Sequence, residues 1–193
     1  MIVHAPQKPL SVQNNLEVEK TPLEGLLLIH PKIFNDVRGL FFESYMDLRY
    51  QKYGITKPFV QDNVSVSKKG VLRGLHYQLR QEQAKLVSVI QGEVFDVAVD
   101  IRPNSPTFGK WYGHRLSGHY HTQMYIPEGF AHGFCVLSDS AIFHYKCSNR
   151  YSPKNERGLM WNDPELDINW PVKNPILSNK DQQYPGFSSI RKL

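Results

Sequence analysis

Between Glu93 and Ile101, Phe95, Val97, Val99 and Ile101 alternate with Asp96, Ala98 and Asp100, a period of two that predicts a β-strand. Gln91-Gly92 before it reads as a hairpin turn to a preceding strand, Lys85–Ile90. A second alternation puts Phe143, Tyr145 and Cys147 on one strand face, opposite Ile142, His144 and Lys146. Phe41-Phe42 is strand-like. Ser44-x-x-Asp47 resembles a capping box and predicts a short helix that Gly54 can end. From Val60 onward β signals dominate, and the tail from Pro171 adds turn signals and another cap, Ser178-x-x-Asp181. Short strands, frequent turns and little helix predict an all-β protein: a sandwich, barrel or jelly roll. Residues 1–20 are polar, carry Pro6 and Pro9, and read as an extended arm or a frayed tail; 21–193 read as one domain.

Composition narrows the picture. At 193 residues, with 13 Gly and 13 Pro, the chain suits one β-rich domain with many turns. Its only cysteines, Cys135 and Cys147, lie in apolar or strand-like runs and are expected as buried free thiols. No signal peptide is visible, and Leu26-Leu27-Leu28-Ile29 is too short to span a membrane, so a cytoplasmic, membrane-free protein is expected. The formal charge of +5 suits an anionic partner. Its lysines and arginines are scattered, without a nucleic-acid motif, so a small phosphorylated ligand or a merely basic surface fits better than DNA or RNA.

Chemistry concentrates in two stretches. Gly70-Val71-Leu72-Arg73-Gly74-Leu75-His76-Tyr77-Gln78, followed by Lys85, sets an imidazole beside two cations. A neutral imidazole next to fixed positive charge can take a proton from carbon alpha to a carbonyl, because the cations stabilise the enolate. A lone histidine is more often structural; the company of Arg73, Lys85, His132 and Tyr145 favours the catalytic reading of His76. The second stretch, Ile126 through Phe134, contains Pro127-x-Gly129-x-x-His132, which matches the second motif of cupin barrels. Metal cupins carry His-x-His and a glutamate in the first motif; here His76-Tyr77-Gln78 and Lys85 stand there. An ammonium offers no lone pair and repels a cation, so no metal is expected. His119-Tyr120-His121 comes in the wrong order for that metal site and reads as a polar strand end or loop.

The chain resembles the RmlC-like cupins, the dTDP-4-dehydrorhamnose 3,5-epimerases of deoxysugar synthesis, over about residues 22–185. The resemblance rests on Phe34-x-Asp36-x-Arg38-Gly39-x-Phe41, Gln61-x-Asn63-x-Ser65, Gly70 through His76 and Gln83 through Val87. It continues through Ser105-Pro106-Thr107-Phe108-Gly109, Ile126 through Phe134, Tyr145-Lys146 and Trp161-Asn162-Asp163-Pro164. It implies a cupin-type jelly-roll barrel with a few short helices. The implied reaction inverts C3 and C5 of dTDP-4-dehydro-6-deoxy-D-glucose by proton removal alpha to the C4 ketone and return from the opposite face, in dTDP-L-rhamnose biosynthesis. No cofactor is implied. By the same resemblance His76 is the base, oriented by Asp181; Tyr145 is the acid, and Lys85 stabilises the enolate. Arg38, Arg73 and Lys180 are implied on the diphosphate, with Glu43, Gln61, Asn63 and Glu156 on sugar or base. Tyr151 is implied on the thymine ring and His132 near the sugar. The family is homodimeric, with N-terminal strands exchanged. About twenty residues precede its usual start, and the loop Ser117–His121 departs from its polar turn. Relatives that epimerise only C3 share these motifs. A non-catalytic sugar-nucleotide-binding cupin and a metal-dependent cupin oxygenase are the other readings.

Overall fold

The structure, a computed structural model, describes residues 15–192; residues 1–14, most of the arm expected from the sequence, lie outside the described residues. Strands account for nearly all the regular structure. The first six are β1 (Leu16–Lys20), β2 (Leu27–Pro31), β3 (Phe34–Asp36), β4 (Gly39–Phe41), β5 (Gln61–Lys68) and β6 (Leu72–Gln78). The remainder are β7 (Lys85–Gln91), β8 (Glu93–Asp100), β9 (Trp111–Ser117), β10 (Gln123–Ile126), β11 (Phe130–Val136), β12 (Ser140–Cys147) and β13 (Glu156–Gly158). Among the described residues they form a six-stranded sheet, β1-β2-β10-β7-β12-β5, a five-stranded sheet, β13-β6-β11-β8-β9, and a separate hairpin, β3-β4. Neighbouring strands in these sheets run antiparallel. This is the jelly-roll barrel expected, and no helix among the described residues is long and apolar enough to cross a membrane.

The main core lies between the two sheets. Val87, Val89, Met124 and Phe143 from one sheet meet Val94, Ala98, Phe130 and Phe134 from the other. Apolar side chains alternate along each strand because successive residues face opposite sides of the pleat. A second core forms on the outer face of the five-stranded sheet, where Leu159, Leu166, Phe187 and Ile190 cover Leu75, Val97 and Val99. β8 is therefore buried on both faces. Its alternation is as expected, yet the face carrying Asp96, Ala98 and Asp100 is the one turned into the barrel, because the C-terminal segment covers the other.

Two local expectations are corrected. Gln91-Gly92 does not close a hairpin: β7 and β8 belong to different sheets, and the turn carries the chain across the barrel. Gly92 has φ +83°, and a Cβ there would lie 2.2 Å from the Ser140 carbonyl oxygen, so the corner needs glycine. The capping box at Ser44 does not form. Helix α1 spans only Asp47–Tyr50, with Met46 at its N-cap and no side-chain capping bond. The Ser44 carbonyl instead accepts from the Tyr50 hydroxyl at 3.1 Å and Gln123 Nε2 at 2.8 Å, which holds the chain against β10 before the helix begins. Gly54 does end the segment, in the left-handed conformation after a 3-10 turn over Gln51–Tyr53. Both cysteines are buried free thiols.

Candidate active site

A cavity of about 280 Å³ opens between the sheets, lined by Arg73, His76, Lys85, His132, Tyr145, Tyr151, Glu156, Lys180 and Asp181, with Phe134 and Phe143 as apolar walls. Its floor depends on how closely β6 and β11 approach. A Cβ on Gly74 would lie 2.6 Å from Gly133 Cα, and a Cβ on Gly133 would lie 2.7 Å from the Arg73 carbonyl oxygen. Only a glycine pair permits that contact, and the register shifts beside it, leaving His76 directly opposite His132. Lys85 and Tyr145 come from the facing sheet, on neighbouring strands β7 and β12. The imidazoles and the Lys–Tyr pair thus stand on opposite walls.

His76 Nε2 lies 2.6 Å from Asp181 Oδ1. The Asp181 backbone N–H donates to Ser178 Oγ at 3.1 Å, so the Ser178-x-x-Asp181 cap forms, on a turn rather than a helix. Burial alone would raise the Asp181 carboxyl, but the bonds from His76 and Ser178 outweigh it and hold it below the ordinary carboxylate value. An ionised Asp181 makes Nε2 the donor and leaves His76 Nδ1 as the ring's lone-pair position. Tyr184 packs edge-on against the same ring, centroids 5.6 Å apart.

Lys85 is buried, and burial pulls its ammonium below the ordinary lysine value; the charges of Cys147, Asp96 and Glu156 oppose that pull. Burial pushes the Tyr145 phenol up, so its hydroxyl keeps its proton throughout the neutral range. At the cavity mouth the Tyr151 hydroxyl donates to Glu156 Oε2 at 2.7 Å, and Lys180 pairs with the same carboxylate oxygen. Arg73 donates from Nε to Ser67 Oγ at 3.1 Å, which aims its guanidinium along the wall.

Of the thirteen residues expected from the sequence, nine line this one cavity: His76, Tyr145, Lys85, Asp181, Arg73, His132, Tyr151, Glu156 and Lys180. Gln61 and Asn63 stand behind it. Gln61 Oε1 accepts the Tyr151 backbone N–H at 2.7 Å while Gln61 Nε2 donates to Asn63 at 2.9 Å, so the pair positions the Tyr151 backbone. Arg38 and Glu43 lie away from it. Arg38 is exposed on the β3-β4 hairpin and bound to Asp36, and Glu43 pairs with Arg49 at 2.8 Å. Asp96, Ser65 and the Phe134–Phe143 stack (centroids 4.0 Å apart) went unassigned in the sequence. The signal for Asp96 was its place on the polar face of the clearest strand. His119–His121 fall in a turn after β9, and no group of three or more His, Cys, Asp or Glu side chains is gathered to hold a metal among the described residues.

The sequence profile of the dTDP-4-dehydrorhamnose 3,5-epimerases matches residues 20–189. The chain belongs to this family. The family's enzymes are isomerases, and the sequence resemblance is confirmed over nearly the whole described barrel. The dTDP-4-dehydrorhamnose 3,5-epimerase of Shigella flexneri is 56% identical over 168 residues, covering 86% of this chain and 93% of the relative. Among solved structures, the dTDP-6-deoxy-D-glucose-3,5-epimerase RmlC of Legionella pneumophila, in complex with dTDP-4-keto-L-rhamnose, superposes with a TM-score of 0.88 at 52% identity. It covers 90% of this chain and 93% of its own. ChmJ, a 3'-monoepimerase from Streptomyces bikiniensis in complex with dTDP-quinovose, superposes with a TM-score of 0.83 at 34% identity, covering 89% of this chain and 88% of its own.

Proposed function

We propose that the cavity inverts C3 and C5 of dTDP-4-dehydro-6-deoxy-D-glucose to give dTDP-4-dehydro-L-rhamnose, the 3,5-epimerase step of dTDP-L-rhamnose biosynthesis. The observation that carries this reading is the opposition of His76, on the five-stranded sheet, to Tyr145, on the six-stranded sheet, across one cavity. Epimerisation needs a base on one face of the sugar and an acid on the other. His76 Nδ1 takes the proton from carbon next to the ketone, and the C–H electron pair moves through the ring carbon onto the C4 oxygen. Lys85 stabilises that oxygen; one such donor in a dry site lowers the barrier by about 3 kcal/mol. Tyr145 returns a proton to the opposite face as the enolate collapses, and exchange with water resets both groups. The imidazolium formed on His76 is stabilised by Asp181. No bound cofactor enters this sequence of steps.

At the nucleotide end, Arg73 and Lys180 supply positive charge for a diphosphate, and Tyr151 and Glu156 frame the mouth where the base would lie. His132 borders the sugar. Arg38 does not line the His76 cavity; its hairpin presents Phe34, Leu40 and Phe41 to solvent, and the edge strand β5 exposes Val64 and Val66. Exposed apolar side chains on a hairpin and an open sheet edge support a homodimer in which the hairpin, with Arg38, packs against the second protomer. The enzyme so assembled acts in the cytoplasm on a soluble sugar nucleotide.

The test is incubation with dTDP-4-dehydro-6-deoxy-D-glucose in deuterated water, with label read at C3 and C5 by NMR. Label at both carbons is expected. Label at C3 alone would move the assignment to a monoepimerase, and no label despite binding would leave a non-catalytic nucleotide-sugar receptor. Tyr145→Phe in the same assay is expected to keep proton exchange at one carbon while impairing inversion. Unchanged product formation would remove Tyr145 as the acid.

A further inference from the structure

Asp96 is completely buried on the inward face of β8. A carboxylate there needs donors or a counter-charge, since an unpaired ion in a dry interior is strongly disfavoured. Among the described residues its hydrogen bonds come from one side chain: His132 Nε2 stands 3.0 Å from each carboxylate oxygen. Burial pulls the His132 imidazole below the ordinary histidine value, so it donates as a neutral ring and brings no positive charge. The cation that Asp96 faces is Lys85, which makes no ion pair within 4.0 Å among the described residues.

This spacing suits the chemistry. A carboxylate in direct contact with the ammonium would hold it back from substrate. Because Asp96 is bonded to His132 and makes no ion pair with Lys85 among the described residues, its negative charge acts on Lys85 while the ammonium stays available to the cavity. Donation from Nε2 also fixes the tautomer of His132 and leaves Nδ1 as an acceptor.

We propose that Asp96 is a positioning residue for the reaction, holding His132 in one tautomer and supplying the buried negative charge that keeps the Lys85 ammonium charged and aimed at the C4 oxygen. The proposal rests on the epimerase reading of the cavity. The titratable and charged groups around Lys85 are Cys147 and Tyr145 from β12, Asp96 from β8, His132 from β11, Arg73 and His76 from β6 and Glu156 from β13, with Tyr151, Lys180 and Asp181 from the segments that complete the cavity. Burial pushes Cys147 and Tyr145 up and pulls Lys85 down, and the proposal assigns the alkaline limb of the pH profile to Lys85.

The experiment is the pH profile of kcat for Asp96→Asn, which keeps an acceptor for His132 Nε2 and removes the charge. The alkaline limb should move to lower pH, so that kcat at about pH 9 falls roughly tenfold more than kcat at about pH 7, with KM little changed. A loss equal at every pH, or no loss, would overturn the proposal, because a merely structural aspartate would not move the limb. Should the variant fail to fold, nitrogen-15 NMR of the wild-type His132 ring decides. A neutral Nε2–H tautomer is expected across the working range, and an imidazolium or the Nδ1–H tautomer would overturn the assignment. The ring measurement needs no substrate, so its failure is distinct from failure of the epimerase reading, which the isotope exchange of the wild type decides.

Discussion

Asp96 and Asp100 stand four residues apart on one face of β8, both fully buried, and their surroundings differ in kind. Asp100 accepts from Arg102 at 2.9 and 2.7 Å, from Ser105 at 2.5 Å, from Thr107 at 2.6 Å and from the Arg102 backbone at 3.0 Å. Burial works to raise its carboxyl, but these donors win and leave it at about 2. Among the described residues, Asp96 has His132 alone. A carboxylate enclosed by its own loop has its field spent locally and organises chain; a carboxylate with one neutral donor projects its charge onto whatever else lines the barrel. The Ser105-Pro106-Thr107-Phe108-Gly109 run is therefore read as structural, although it belongs to the same family pattern as the site residues. Removing groups from each side of the contrast should separate loss of chemistry from loss of fold.

The largest effect is expected at His76. His76→Asn should lower turnover by at least about a thousandfold, the upper range for a general base, while nucleotide binding and thermal stability stay near wild type. Steady-state kinetics with calorimetry of dTDP binding measures both. Substantial residual turnover would take His76 out of the base role and leave the His76–Asp181 pair as structural as Asp100.

The contrast also marks where sequence alone stops. Motif spacing placed His76 and Lys85 on strands and period-two alternation put Tyr145 and Cys147 on one face, while the family resemblance implied that His76, Lys85 and Tyr145 share the one cavity they are found to line. The period does not say which face is covered. A strand buried on both sides, as β8 is beneath Leu159, Leu166 and Phe187, reads like one with its polar face in water. Asp96 was missed for that reason. Gln91-Gly92 misled for a related one: a glycine turn between two apolar runs looks the same whether the chain folds back or crosses to the other sheet. Arg38 shows a third limit, since among the described residues the β3-β4 hairpin pairs only with itself and its place relative to the cavity follows from packing rather than from any local pattern.

A middle-sized effect is expected at Asp100, on stability. Its carboxyl lies at about 2 against an ordinary value of 3.8, so the folded state favours the ionised form. That contribution is complete above the ordinary value and disappears as pH falls through the folded one; at neutral pH it amounts to about 2 kcal/mol. Asp100→Asn should lose that amount or slightly more in urea unfolding at pH 7, because an amide N–H would face the donors of Arg102, Ser105 and Thr107. The gap between variant and wild type should shrink from about pH 4 downward. A gap independent of pH would mean that shape, not charge, is what Asp100 contributes. Turnover per folded molecule should stay near wild type.

The smallest effect is expected one step further out, at Thr107. Its hydroxyl gives one of the bonds to Asp100 Oδ2, which Ser105 and Arg102 also hold. Thr107→Ala removes one donor and leaves the carboxylate partnered, so the cost should be about 1 kcal/mol, a fall in Tm of roughly 2–4 °C. Thermal unfolding measures it. A loss as large as that of Asp100→Asn would mean the donors act as one cooperative unit, with no single bond replaceable. A fall in turnover at unchanged stability would break the contrast itself, since it would tie this loop to the chemistry through β8, whose next inward carboxylate is Asp96. Neither outcome is expected, because the excess of donors around Asp100 is what confines its charge to the loop.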